Sequence, residues 1–182
     1  MLWQKIEPPR AGILLDVGGG AGRYALEALR RSPGLRAIVA DLPESEPSFR
    51  RLTAGQPEAS RLGFAAADAI EGPLPRGDAA LVSSLVHIYG PDTLARLARN
   101  LAAALSPGGT LLIRDFFFDD ETHTSPPSTA LFAINMLVNT DDGGCYTPAE
   151  LEEIFGAAGF TNWRLVPLDE RSAVLAGTRQ ES

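Results

Sequence analysis

The stretch ILLDVGGGAGRYALEAL, Ile13 to Leu29, decides the fold. It passes from an apolar strand, Gly12–Val17, through a glycine cluster into a helix over Ala21–Arg31 that turns Leu26 and Leu29 inward. Pro33-Gly34 stops that helix. This order puts backbone N–H groups and a helix N-terminus at the C-terminal edge of a sheet, where ligands of open α/β sheets bind. Glycines there permit positive φ and close backbone approach. A dinucleotide turn needs G-x-G-x-x-G, but Gly18, Gly20 and Gly22 run G-x-G-x-G, and Arg23 stands where the last glycine should. No Gly-Lys-Ser/Thr follows, so the phosphate-loop pattern fails as well. Asp16 completes D-x-G-x-G-x-G. A carboxylate in that place repels a pyrophosphate and suits a cation.

Outward from this turn, short apolar runs alternate with helical patterns, as in βαβ units around a mostly parallel sheet. Strand two, LRAIVAD, ends at Asp41; strand three, RLGFAAAD, ends at Asp68; strand four, DAALVSSLV, starts at Asp78. The helix over Asp92–Leu105 carries Leu94, Leu97, Leu101 and Leu105 at three- and four-residue steps, one buried stripe. Ser106-Pro107-Gly108-Gly109 ends it, and strand five, TLLIRDFFF, follows. A loop and a helix from about Ser128 precede Thr147-Pro148-Ala149-Glu150, a capping box with Pro at the first helical position. That helix ends at Gly159, and TNWRLVPL and SAVLAGTR then pair as a hairpin. The expected fold is a Rossmann-like three-layer α/β sandwich with a seven-stranded, mostly parallel sheet whose last strand is antiparallel. One domain is expected over residues 1–182, with residues 1–11 as an N-terminal arm.

Composition narrows the partners. Of 182 residues, 45% are hydrophobic and 21% charged, typical of a globular domain that needs no staples. The net charge is −7, from 16 Lys+Arg against 23 Asp+Glu. Nucleic-acid binding neutralises phosphates with Lys and Arg, so that partner is not expected. Cys145 is the only cysteine, which rules out an intramolecular disulfide and a Cys-based zinc site. MLWQKIEPPRAG lacks the apolar core of a signal peptide, and no run of about 20 apolar residues occurs to span a bilayer. A cytoplasmic, soluble protein is expected.

The D-x-G-x-G-x-G turn with Asp41 and Asp68 resembles the cofactor site of the class I S-adenosylmethionine-dependent methyltransferases. In that family the first acid contacts the methionine part of the cofactor, the second accepts the ribose hydroxyls and the third bonds the adenine amino group. DVGGGAG, VADLPE, PRGDAALVSSLVH, LARNLAAALSPGGTLLIRDF and AINMLVN…YTPAELEEIFGAAGF resemble, in order, one branch of it. That branch is the O-methyltransferases of plant phenolics, acetylserotonin and bacterial polyketides, and the resemblance runs from Gly12 to Arg179. It implies S-adenosylmethionine as cofactor and S-adenosylhomocysteine as product. Asp16, Gly18, Gly20, Gly22, Asp41, Leu42, Asp68, Ala69 and Ser84 would then be the cofactor residues.

The resemblance also makes His87, just after strand four, the general base. A phenol with pKa about 10 is a poor nucleophile at neutral pH, and an imidazole of pKa about 6.5 can take its proton. Asn135, Met136 and Asn139 fall on the family's substrate-lining helix, and the acceptor would be a hydroxylated aromatic or polyketide-like metabolite. Two departures stand out. The family's His-Asp-Trp is His87-Ile88-Tyr89, and Cys145 stands where plant members place a Glu that flanks the histidine. The base would need another orienting carboxylate, with Asp115, Asp119 and Asp141 as candidates. No metal is expected, although Asn139, Asp141 and Asp142 imitate a magnesium set. The family's N-terminal helical domain, which dimerises and closes the pocket, has no counterpart before strand one. Three explanations stay open: a trimmed chain, a natural stand-alone domain, or a subunit whose lid a homodimer or a partner chain supplies, with Trp3 and Ile6 as what remains of a contact. A non-catalytic cofactor-binding subunit and an N- or C-methyltransferase stay open as alternatives.

Overall fold

The computed structural model describes residues 2–181. Seven strands form one sheet: β1 (Ala11–Val17), β2 (Gly34–Asp41), β3 (Leu62–Ala66), β4 (Gly77–Ser83), β5 (Leu105–Asp115), β6 (Phe160–Pro167) and β7 (Ala173–Arg179). Their order is β3-β2-β1-β4-β5-β7-β6. The first five strands pair in parallel, and β7 runs antiparallel to both β5 and β6. The expected fold class is therefore the one observed.

Among the described residues six α-helices accompany the sheet: α1 (Leu2–Lys5), α2 (Arg23–Arg31), α3 (Glu46–Thr53), α4 (Pro91–Ala104), α5 (Pro127–Asn139) and α6 (Pro148–Gly156). On one face α1, α2 and α3 bury Leu2, Trp3, Leu26, Leu29 and Phe49 against Leu14, Val39 and Leu81. On the other, α4 and α6 bury Leu94, Leu97, Leu101, Leu151 and Phe155 against Leu15, Val17, Val82 and Ile113. Alternation along each parallel strand supplies both cores, since successive side chains leave opposite faces. The capping box is as read: Thr147 Oγ1 accepts the Glu150 N–H at 3.2 Å, and Glu150 Oε2 accepts the Thr147 N–H at 2.7 Å.

Several boundaries differ from the sequence reading, and two concern the site. β3 stops at Ala66, so Asp68 lies in the turn beyond it, where its Oδ1 accepts the Ile70 and Glu71 N–H groups. β4 stops at Ser83; Ser84 takes φ +55°, and His87 sits in a short 3-10 turn, Val86–Ile88. The Ala67 N–H still bonds the Asp41 carbonyl and the Ser84 N–H the Arg114 carbonyl, both at 2.9 Å, just beyond the strand ends, and alternation alone cannot sense where pairing stops. α2 begins at Arg23 because Gly22, at φ +81°, still belongs to the turn. α6 ends at Gly156, and Gly159 at φ +91° turns the chain into β6. Ser106–Gly109 lies inside β5 as an irregularity in its pairing with β4. Trp3 is buried, and its indole N–H bonds the Tyr24 carbonyl at 2.8 Å. No helix among the described residues is long and apolar enough to cross a membrane.

Candidate active site

The strand order reverses between β1 and β4, and the crevice outside their C-terminal ends is where ligands of such sheets sit. The glycine turn forms one wall of this crevice and the Ser84–His87 segment the other. They meet where Gly18 packs on the Leu85 side chain. Gly18, Gly20 and Gly22 all take left-handed φ, at +66°, +55° and +81°. Gly19 adopts ordinary φ yet is equally constrained, because a Cβ there would lie 2.5 Å from the Asp16 carboxyl carbon. The spacing rule used on the sequence passed over Gly19; its signal is the unbroken Gly18-Gly19-Gly20 run.

Asp16 is fully buried beneath this turn. Its Oδ2 accepts the Ala25 N–H in the first turn of α2 at 3.2 Å, while Oδ1 has no hydrogen-bond partner. Burial pushes its carboxyl up to about 7; the Ala25 N–H opposes this and the Asp41 charge adds to it. Asp41 ties the turn to β2. Its Oδ2 accepts the Gly20 N–H at 2.6 Å, and its Oδ1 accepts the Leu42 N–H at 2.7 Å and the Ser45 hydroxyl at 3.0 Å. A carboxylate oxygen has two lone pairs, so Oδ2 keeps one free while Oδ1 is saturated. Leu42 and Asp68 are exposed, and the Asn100 side chain holds the Ala69 and Ile70 carbonyls at 2.9 Å. Tyr89 faces the same crevice: burial and the charges of Asp68 and Asp41 raise its phenol above the usual range. Ser84 is exposed and its hydroxyl accepts from Arg114 at 2.7 Å.

Across the crevice, His87 is buried and its Nδ1 lies 2.8 Å from Asp115 Oδ1. Of the three acids considered as orienters, Asp115 is the one at the imidazole; Asp119 and Asp141 are exposed. Asp115 is 1% exposed, its Oδ1 also accepts the Phe116 N–H, and its Oδ2 has no partner. A buried carboxylate at Nδ1 holds the proton on that nitrogen and leaves Nε2 as the acceptor. The imidazole ring is edge-on to Phe132, 4.9 Å between centroids, and Phe132 contacts Phe116 at 4.8 Å. Both phenylalanines escaped the sequence reading. Phe132 was within reach, since it precedes Met136 by one helical turn and so shares its face. Met136 is half-buried, whereas Asn135 and Asn139 are exposed and bonded to each other, Asn139 Nδ2 donating to the Asn135 carbonyl at 2.9 Å. Cys145 is buried, and burial with the Asp115 charge pushes its thiol up to about 12. Its thiol therefore stays protonated and cannot replace a carboxylate.

Known proteins share this fold. The sequence model of the O-methyltransferase domain matches residues 6–161. The chain belongs to that family. Among curated relatives, the tetracenomycin polyketide synthesis 8-O-methyl transferase TcmO of Streptomyces glaucescens is 34% identical over 165 residues, covering 91% of this chain and 48% of the relative. The 3-hydroxy-5-methyl-1-naphthoate 3-O-methyltransferase of Streptomyces sahachiroi is 36% identical over 169 residues, with the same coverage. Human N-acetylserotonin methyltransferase, solved in complex with SAM, superposes with a TM-score of 0.84 at 25% identity, over 93% of this chain and 48% of that one. The chain thus spans about half the length of the curated relatives it matches.

Proposed function

We propose that this domain binds S-adenosylmethionine at the Gly18–Gly22 turn and methylates a hydroxyl of a small aromatic or polyketide-like metabolite, with His87 as general base. The observation that carries the proposal is the buried His87–Asp115 pair at 2.8 Å, beside the glycine turn of a family member. The residues fit the cofactor. The idle Asp16 Oδ1 offers negative charge to a cation, and a Cβ on Gly20 would meet nothing within 4 Å, so the crevice is open there. Asp41 Oδ2 retains a lone pair for one ribose hydroxyl, and Leu42, Asp68, Ala69 and Ser84 border the remainder of the crevice. S-Adenosylmethionine, when bound, supplies a methyl group activated by a positive sulfur. His87 takes the acceptor's hydroxyl proton at Nε2, and Asp115 keeps the ring in the required tautomer and stabilises the imidazolium. Phe132, Phe116 and Met136 form an apolar wall for a flat acceptor, and Asn135 and Asn139 lie at its outer rim. General-base help of about 10²–10⁴ in rate corresponds to roughly 3–5 kcal/mol of barrier. The relatives support the acceptor class, since two are named for methyl transfer to a polyketide and to a naphthoate.

Two further elements belong to the same reading. α5 leaves Leu131, Ile134, Leu137 and Val138 more than half exposed, an apolar stripe that suits cover by a second copy of the chain or a partner domain. The working compartment is the cytoplasm. Titration calorimetry with S-adenosylmethionine and S-adenosylhomocysteine, followed by a labelled-methyl screen over phenols, tests the proposal. Binding of both and transfer to a phenol is the expected result. Absence of binding to folded protein removes the enzymatic reading and the cofactor-module reading together, and binding without transfer leaves a non-catalytic subunit.

A further inference from the structure

β5 ends in two neighbouring charged residues, and the reading above uses only Asp115. Arg114 leaves the strand on the opposite face. Its Nη1 donates to Ser84 Oγ at 2.7 Å, and its guanidinium carbon lies 5.5 Å from the centre of the Phe116 ring. Its Nε is buried and has no acceptor. None of the ion pairs among the described residues involves it. Asp169 feels its charge, but that carboxylate already accepts the Arg171 and Ser172 N–H groups and the Ser172 hydroxyl. A guanidinium N–H shielded from water without an acceptor is costly, and its planar fork matches a carboxylate. From Arg114 the aromatic wall continues unbroken through Phe116 and Phe132 to His87.

We propose that Arg114 is an anion-reading residue of the acceptor site, so that the preferred acceptor is an aryl hydroxyl compound that also carries a carboxylate. The hydroxyl meets His87 at one end of the wall; the carboxylate pairs with the open end of the Arg114 guanidinium at the other. The aromatic body lies along Phe116 and Phe132. Recognition of the hydroxyl rests on the methyl-transfer reading, whereas recognition of the carboxylate requires neither cofactor nor turnover.

The test compares 6-hydroxy-2-naphthoate with 2-naphthol, its neutral twin, by calorimetry and by NMR of arginine Nε–H resonances, with and without S-adenosylhomocysteine. The naphthoate should bind roughly 10- to 100-fold more tightly, the worth of a charge-assisted pair. It should also shift one Nε–H resonance that is missing from Arg114→Met. In Arg114→Met the two ligands should bind within about twofold of each other, with naphthol affinity kept, and Arg114→Lys should restore part of the preference. Thermal unfolding of both variants checks that they fold. Equal binding of the two ligands to the unsubstituted protein overturns the proposal. So does a preference that survives in folded Arg114→Met, or no binding of either ligand. Carboxylate preference without S-adenosylhomocysteine binding would remove the methyl-transfer reading and leave the Arg114 site standing.

Discussion

At the residue scale, Asp16 and His87 show opposite uses of a buried polar group. Asp16 is held under the glycine turn with one oxygen idle, and its carboxyl is pushed up to about 7 from 3.8. The sign follows from linkage. The folded state favours the protonated acid, so stability from this group is greatest below pH about 4 and falls as the pH rises to about 7. The loss is on the order of 4 kcal/mol. Asp16→Asn should therefore gain on the unsubstituted domain as the pH rises from 4 to 8, measured by urea unfolding of the cofactor-free protein. A pH-independent difference would show that the burial of Asp16 is not felt. The same titration predicts that affinity for a cationic cofactor rises with pH through about 7, with proton release on binding measurable in buffers of different ionisation enthalpy. His87 depends instead on a completed pair. His87→Ala should lower kcat on a phenol acceptor by about 10²–10⁴. Asp115→Asn should lower it on the order of 10²-fold or more, because an amide can donate to Nδ1 and favour the wrong tautomer. Either variant at near-full kcat would show that the pair does not move the proton.

At the element scale, local rules explain what was legible and what was not. The capping box of α6 can be read from four consecutive residues because both of its hydrogen bonds close within them. Thr147→Ala should cost about 1 kcal/mol of unfolding free energy with little change in denaturant slope. The helix over residues 127–139 was equally visible, but its orientation was not. Apolar residues occur all round it, so periodicity names no inner face. Packing decides that Phe132 faces His87 while Leu137 and Val138 remain 73% and 76% exposed. Asp68 and His87 were placed at strand ends because apolar sequence runs past Ala66 and Ser83, and only the pairing partner ends a strand.

At the scale of the whole molecule, α5 is the part of the surface least suited to water. If a second copy of the chain covers it, Leu137→Asp with Val138→Asp should reduce the solution mass measured by light scattering to that of one chain. The melting temperature of the isolated domain should stay within a few degrees, since neither side chain belongs to a core. A mass unchanged by the substitutions, or monomeric before them, would remove α5 as the contact.

The division between sequence and tertiary structure follows the range of the interactions involved. The glycine turn, the alternation of strands and helices and the acids at Asp16 and Asp41 were determined by the sequence itself, because each rests on neighbours within one element or turn. Others depended on the sheet. β7 inserts between β5 and β6, and this hairpin closes the sheet beyond β5. Asp115 reaches His87 across 28 positions because β4 and β5 pair in register, Ser83 beside Arg114. Arg114 reaches Ser84 for the same reason. Side-chain pairs between strands are chosen by ladder register and by where pairing stops, and neither is encoded in any short window of the chain.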